Sequence, residues 1–381
     1  MPVFTCGGMR YQHSWKDVEQ GEIPDESQRT VAATIERALE LGINHLETAR
    51  GYGSSERQLG RILPQFPRKS LLVQTKVGPQ RDPQGFVQKF EVCMDRLGLD
   101  YIDFLALHGV NDAETLEWSV GAGGCVDAAE GLRAQGRVRH IGFSTHGPTR
   151  IIVQAIESGR FDYVNLHWYY INPFNWPAVQ AAAARDMGVF IISPSDKGGL
   201  LYKAPDKLRR LCAPLTPMQF NDLFCLAHPE VHTLSIGASC PTDFDEHVAA
   251  LAHYDRIAAT IAPINQRLRE EMERVLGPAW VATWWHGIPE PAQLPGQVHV
   301  HEIVRLWNLA KAFDLVEFGK TRYNLLGDGG HWVPGMRAGD FDEPEMVRAL
   351  AASPHAARIP AILREAHQLL VGEEKKRLSS A

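Results

Sequence analysis

Between residues 25 and about 240 the chain alternates segments of helical periodicity with short apolar runs, and few folds accept that alternation. Such a rhythm reads as βα units laid on a parallel sheet. A helix is expected to open at Pro24-Asp25, with Asp25 as cap and Gln28 three residues on. Val31, Ile35, Ala38 and Leu39 recur at helical spacing, and Gly42 supplies a left-handed stop. Strand Ile43–Leu46 follows. The next helix holds Leu59, Ile62 and Leu63 and leads to strand Leu71–Thr75. Phe86, Phe90, Cys93, Met94 and Leu97 form another stripe, closed by Gly98 and followed by strand Ile102–Leu107. The pattern continues through helix Val126–Ala134, strand Val138–Phe143, helix Pro148–Ser158, strand Tyr163–Leu166, helix Trp176–Met187 and strand Val189–Ile192. Helix Thr216–Ala227 and strand Thr233–Ile236 close it, and a short strand near Val3–Met9 brings the strands to eight. Strands this apolar suit a sheet covered by helices outside and filled by side chains inside. An open doubly wound sheet competes, but no G-x-G-x-x-G follows any strand. The expectation is an α/β chain with a (β/α)₈ TIM barrel over residues 1–260.

The chain has 381 residues, more than a barrel of roughly 250 requires. Residues 261–381 read as an additional α-helical domain. Residues 241–275 look helical, and Gly277–Gln297 reads as a loop whose Trp280, Trp284 and Trp285 serve interdomain packing. Helices are expected at His301–Phe313, Leu315–Tyr323, Pro344–Ala352 and Pro360–Leu370, ahead of a frayed polar tail, Gly372–Ala381. Leu294-Pro295 and Ser353-Pro354 begin two segments that echo each other 59 residues apart.

Composition narrows the partners. Net charge is −6 with no basic block, which argues against nucleic acid. No apolar stretch reaches the ~18 residues that span a bilayer, and the first residues lack a signal-peptide pattern, so no membrane association and a cytoplasmic location are expected. The six cysteines (Cys6, Cys93, Cys125, Cys212, Cys225 and Cys240) include no C-x-x-C pair and read as reduced thiols; all precede residue 241. His299 and His301 would share one face of an extended stretch, but no further ligand spacing supports a metal, and none is expected.

Reactive groups of such a barrel sit where the strands end. Reading just past three consecutive strands gives Glu47 with Tyr52, then Lys76, then His108, at separations of 29 and 32 residues. One βα repeat separates each from the next, so all can meet at one mouth. Tyrosine is a weak acid whose ionisation an adjacent ammonium favours. A carboxylate holds the lysine charged, and a histidine can orient a carbonyl. That set can protonate an alkoxide as a hydride arrives from a nicotinamide.

The run from Gly42 through Glu47-Thr48-Ala49-Arg50-Gly51-Tyr52-Gly53-Ser54-Ser55-Glu56 resembles the active-site signature of the aldo-keto reductases, D-T-A-x-x-Y-G-x-S-E. Thr75-Lys76-Val77 is similar to that family's lysine motif and Leu107-His108 to its histidine position. The resemblance, which covers residues 1 to about 255, implies a carbonyl reductase using NADPH, with Tyr52 as proton donor, Lys76 tuning it, His108 orienting the carbonyl and Glu47 anchoring Lys76. It places Ser144 and Asn165 at the nicotinamide amide. Ser193, Pro194, Ser195 and Lys197 fall on the pyrophosphate loop, and Gly237, Ser239, Glu246 and His247 at the adenosine end. Three departures stand out. Glu47 replaces the usual aspartate. His247 replaces a frequent asparagine. Asp243 stands where NADPH users often carry Arg or Gln, which keeps NADH open as the cofactor.

Beyond residue 255 the chain resembles the subset of these reductases with a C-terminal ferredoxin-type module for two [4Fe–4S] clusters. Leu294-Pro295 and Ser353-Pro354 occupy its Cys-Pro positions. Thiolates hold such clusters, so no iron–sulfur cluster is expected. The substrate is a small-molecule carbonyl of unspecified identity. Trp168-Tyr169-Tyr170 is either core or a substrate wall. A second reading is a cofactor-binding sensor or scaffold with little turnover, in which the C-terminal domain docks a protein partner; electron transfer through an unseen cluster is a weaker third.

Overall fold

Eight strands, each short and almost entirely buried, pair edge to edge in chain order and close on themselves: β1 (Phe4–Gly7), β2 (His45–Glu47), β3 (Leu72–Val77), β4 (Ile102–His108), β5 (Val138–Ser144), β6 (Tyr163–Leu166), β7 (Gly188–Ile192) and β8 (Thr233–Ile236). The computed structural model describes residues 1–327 and 329–375. Every neighbouring pair is parallel, including β8 with β1, where Thr5 faces Ser235. The expected (β/α)₈ barrel is thus the observed fold, with further helices after it.

Helices cover the outside for the reason their sequences suggest. α1 (Asp25–Glu40) buries Val31, Ile35 and Ala38. α2 (Ser55–Gly60) is short, and α3 (Pro83–Leu97) buries Phe86, Phe90, Cys93, Met94 and Leu97 before Gly98 turns left-handed at φ 65°. Inside, Phe104, Tyr163 and Phe190 fill the barrel below the strand ends, with ring centroids 4.9 to 5.7 Å apart. Gly142 makes room for this plug, because a Cβ there would lie 2.5 Å from the Tyr163 ring.

Several expectations need correction at their edges. Asp25 is the first helical residue and not the cap, which is Pro24. Leu63 lies in a separate 3₁₀ turn, because α2 stops at Gly60. Strands β3, β4 and β5 run one or more residues further than their apolar cores, so Lys76, His108 and Ser144 lie within them. Three short helices went unread, α4 (Ala113–Val120), α8 (Asp206–Cys212) and α12 (Pro278–Thr283), the last inside the segment read as a loop, while α10 (Asp245–Ala250) falls in the stretch expected to be helical. Each of the three has fewer than three full turns, too little periodicity to stand out. Between them lie α5 (Cys125–Ala134), α6 (Thr149–Glu157), α7 (Trp176–Ala183), α9 (Pro217–Leu226) and α11 (Ile257–Leu276).

The described residues divide into two compact units, Met1–Gly198 with Asn221–Ile257, and Gly199–Phe220 with residues 258–375. In the second, α13 (Val300–Phe313) is buried along most of its length and packs on α14 (Val316–Tyr323) and α16 (Ile359–Leu370), with α15 (Glu343–Ala349) alongside α16. The tryptophans expected between domains pack within this unit: Trp280 donates to Asn308 Oδ1 at 2.8 Å beneath the Arg358 guanidinium, and Trp284 lies against His301. His299 and His301 are not on an extended stretch. His299 caps α13 and His301 is in its first turn, and no group of His, Cys, Asp or Glu among the described residues is placed to hold a metal. The end of the tail, residues 376–381, lies outside the described residues.

A half-buried charged cluster opens α13. Glu302 pairs with Arg305 at 2.7 Å. Burial alone would raise the Glu302 carboxyl, but Arg305 and Arg322 outweigh it and draw the pKa down to about 2. Burial, aided by His299, lowers His301 to about 3. In the unfolded chain both groups return to ordinary values, so the unfolded state binds more protons than the folded one below about pH 6.5. The stability of this unit is therefore expected to fall steadily from pH 6.5 toward 3, first through His301 and then through Glu302. Urea unfolding at stepped pH checks this. Glu302→Gln should flatten the part of the decline below pH 4.5.

Candidate active site

A lysine ammonium sits inside the barrel at Lys76, whose side chain is 1% exposed. It is ion-paired to Glu47 Oε1, donates to the Thr48 carbonyl at 3.0 Å, and lies 3.4 Å from the Tyr52 hydroxyl. Burial alone would depress its pKa, but the Glu47 charge and Tyr52 outweigh that and hold it above the usual lysine value. The other Glu47 oxygen accepts a hydrogen bond from Ser235 on β8. Neighbouring strands bring these groups together: Glu47 ends β2, Lys76 is the penultimate residue of β3 and His108 ends β4.

Tyr52 comes from the turn after β2. Its N–H donates to the Ala49 carbonyl at 3.0 Å, and Arg50 N–H donates to the Lys76 carbonyl at 2.9 Å, which ties the turn to β3. Gly53 follows at φ 53°, where a Cβ would lie 1.9 Å from the Ser14 carbonyl oxygen. The Tyr52 ring meets the His108 ring edge-on at 5.7 Å. Below, Glu56 is buried and receives Thr75 Oγ1 at 2.7 Å and Arg50 at 2.6 Å, anchoring the turn from the helix side. The structure thus gathers Tyr52, Lys76, His108 and Glu47 at one mouth.

A belt of polar side chains crosses the interior beneath them. Burial lowers the His45 pKa to about 4, so its imidazole is neutral. One ring nitrogen must then donate and the other accept. Gln74 Nε2 donates to Asn165 Oδ1 at 2.8 Å, which leaves Gln74 Oε1 to accept from His45 Nε2 at 3.1 Å. His45 Nδ1 accepts from Thr5 at 2.8 Å, and Thr5 accepts from Thr233 at 2.9 Å. All donors run in one direction, and the series ends on the Asn165 amide Nδ2, which is buried and has no partner. An unanswered donor at the end of β6, beside Ser144 on β5, fits the acceptor oxygen of a carboxamide.

The remaining predicted residues lie after β7 and β8. Ser193 turns left-handed at φ 54° ahead of Pro194. Ser195 faces His247 Nε2 at 3.3 Å, and His247 Nδ1 pairs with the buried Asp222 at 2.5 Å. Lys197 reaches His146 and His167, each at 3.1 Å. The Gly237 carbonyl accepts from Arg10 at 3.0 Å. Asp243 accepts from both the N–H and the hydroxyl of Ser239 at 2.7 Å. Burial would raise the Asp243 carboxyl, but the Ser239 and Cys240 hydrogen bonds and the Arg10 charge hold it below its usual value. Glu246 and His247 lie on α10, with His247 buried and Glu246 half-buried. Tyr169 is buried and joins His167, while Trp168 stacks on Phe224 in the core.

Residues 4–259 match the Aldo/keto reductase family. The chain belongs to that family. An L-galactose dehydrogenase of Arabidopsis thaliana is 26% identical over 286 residues, covering 67% of this chain and 87% of the plant protein. An aldo-keto reductase of Mycobacterium marinum is 39% identical over 128 residues, 32% of this chain and 40% of that protein. Among solved structures, an aldo-keto reductase from Klebsiella pneumoniae in complex with NADPH superposes with a TM-score of 0.54 at 19% identity, covering 66% of this chain and 86% of that one, a likeness of fold. The family match ends before α13 begins.

Sequence reading missed Asp222, His146 and His167, and it placed Ser235 only at the start of the stretch resembling the adenosine-phosphate region, not beside Glu47. The buried pair yields a test. Lys76→Met leaves the Glu47 carboxylate buried with Ser235 as its hydrogen-bond partner and no counter-charge, at an expected cost of about 3–5 kcal/mol. Adding Glu47→Gln should recover most of that. Chemical unfolding of the two variants decides it, and equal losses would exclude the coupling.

Proposed function

We propose that this chain is a nicotinamide-dependent reductase of aldehydes or ketones with Tyr52 as the general acid. The observation that carries the reading is the Lys76 ammonium, held between the Glu47 carboxylate and the Tyr52 hydroxyl at the barrel mouth. Reduced nicotinamide, when bound, supplies a hydride. Tyr52 delivers a proton to the carbonyl oxygen, and Lys76 stabilises the phenolate that this leaves behind. His108, edge-on to Tyr52, orients the carbonyl. Glu47 keeps Lys76 charged. Asn165 Nδ2 and Ser144 would hold the nicotinamide amide. Ser193, Pro194, Ser195 and Lys197 would line the diphosphate, and Gly237, Ser239, Glu246 and His247 the adenosine end.

NADPH is the proposed cofactor, as in the Klebsiella complex. NADH stays in the reading because Asp243 would oppose a 2′-phosphate, although Ser239 already engages that carboxylate. We assign residues 1–260 to the reductase domain and 261–381 to a helical accessory domain without an iron–sulfur cluster, since all six cysteines precede residue 241. A complete charge network around Tyr52 favours turnover over a scaffold role.

Titration with NADPH and NADH, followed by nicotinamide fluorescence and then a carbonyl panel, tests this. The panel should include the reverse reaction on L-galactose, because of the plant relative's name. Tyr52→Phe is expected to abolish turnover, with cofactor affinity changed less than about threefold, as for a group that acts in the transition state. Binding without turnover on any substrate would favour the sensor reading, and binding of neither nucleotide would end the enzyme reading.

A further inference from the structure

Glu47 carries one methylene more than the aspartate of the family signature, and the barrel answers that extra reach with a partner. Its first carboxylate oxygen faces Lys76 on β3; its second faces Ser235 on β8, so the carboxylate bridges strands on opposite sides of β1 and β2. A hydroxyl that donates to a carboxylate spends its single proton there, which fixes the Ser235 rotor. The approach depends on β1. Gly7 pairs with Glu47, and a Cβ at Gly7 would lie 2.7 Å from Ser235 Oγ and 3.0 Å from the Ile236 carbonyl oxygen. Any side chain at residue 7 would displace the hydroxyl from the carboxylate.

We propose that Ser235 is a positioning residue for the proton transfer: by holding the second oxygen of Glu47 it fixes where the carboxylate sits, and so where the Lys76 ammonium points at Tyr52. The inference rests on the reading of Tyr52 and Lys76 given above. A carboxylate pinned at one oxygen can swing about its terminal torsion, and an ammonium following it drifts from the phenol. Pinned at both, it cannot. The hydrogen bond also draws negative charge away from the side of Glu47 that faces Tyr52, where it would oppose the phenolate.

The other titratable groups around Glu47 are poor candidates to take over. Burial, with some help from Glu47, raises the Cys6 thiol, and burial raises the Tyr11 and Tyr163 phenols, so all three stay protonated. Burial keeps His45 neutral, and its two ring nitrogens are engaged by Thr5 and Gln74. Lys76 and Tyr52 are left to register a change at Glu47.

The test is a double-mutant cycle between Ser235→Ala and Glu47→Asp, read in steady-state kinetics against pH with nucleotide affinity measured alongside. In the otherwise native chain, Ser235→Ala should lower kcat about tenfold, less than the ~100-fold or more that loss of a donor in direct contact with the reacting atoms costs, with KM and nucleotide affinity unchanged. The alkaline limb of the kcat profile should move to higher pH. Ser235→Thr, which keeps the hydroxyl, should restore both. In the Glu47→Asp background the shorter carboxylate cannot span from Lys76 to Ser235, so Ser235→Ala should then change little. Equal losses in the two backgrounds, or a loss in KM and nucleotide affinity alone, would make Ser235 structural and overturn the proposal. So would a native kcat and pH profile for Ser235→Ala. Tyr52→Phe separates the two layers. If it retains turnover, the reading of the site falls; if it is inactive while Ser235→Ala is silent, this inference alone falls.

Discussion

A charged ammonium inside a barrel is the constraint that much of this structure serves. Moving such an ion from water into protein costs several kcal/mol even after relaxation. Lys76 can stay ionised there only because a carboxylate, a carbonyl and a phenol surround it. Each of these needs its own support. Glu47 must be held by β2 and by Ser235, Thr48 by the chain leaving β2, and Tyr52 by a turn that only a left-handed residue can close at Gly53. The fold supplies what a loop could not: three rigid strand ends at fixed separation.

The belt below follows the same logic one layer down. Polar groups buried in a barrel must find partners, and Thr233, Thr5, His45, Gln74 and Asn165 find them in one another. Because a neutral imidazole has one donor and one acceptor, His45 carries the direction fixed by the Gln74 to Asn165 bond through to Thr5 and Thr233. The last member is left offering a donor at the mouth. A site that holds an unsatisfied amide on a rigid strand is organised before any ligand arrives, so little ordering remains for binding.

Much of this could be read in the chain. The strand count, the barrel and the meeting of Glu47, Tyr52, Lys76 and His108 followed from spacing and from one compact signature. Strand ends did not, because β3 and β4 carry polar residues where the apolar run has stopped: Lys76 and His108 prolong their strands since ladder bonds ignore side-chain polarity. The contact of Ser235 with Glu47 was invisible for another reason. Ser235 lies 188 residues from Glu47, and only barrel closure, which joins β8 to β1, puts the two side by side. Asp222 and His247 also meet through tertiary packing, with no local pattern to mark them. In the C-terminal unit, helices were legible by period, whereas the turn that makes His299 a cap was mistaken for extended chain because alternating histidines imitate a strand.

The two units solve a similar problem with different means. In the barrel, charge is buried where chemistry can use it, and the Phe104, Tyr163 and Phe190 plug supplies apolar packing beneath. In the C-terminal unit, Arg305 is buried and Glu302 and the two histidines are half-buried at the start of α13, with His301 against Trp284. An ion pair in such a place contributes little net stability over an apolar replacement, yet removing one member is costly. Because Glu302 and Arg305 lie on one helix their pair moves with it, and what ties the start of α13 to its surroundings is the contact of His301 with Trp284. On this argument, the C-terminal helices keep their arrangement through aromatic and charged contacts, with no thiol beyond residue 240 to hold them.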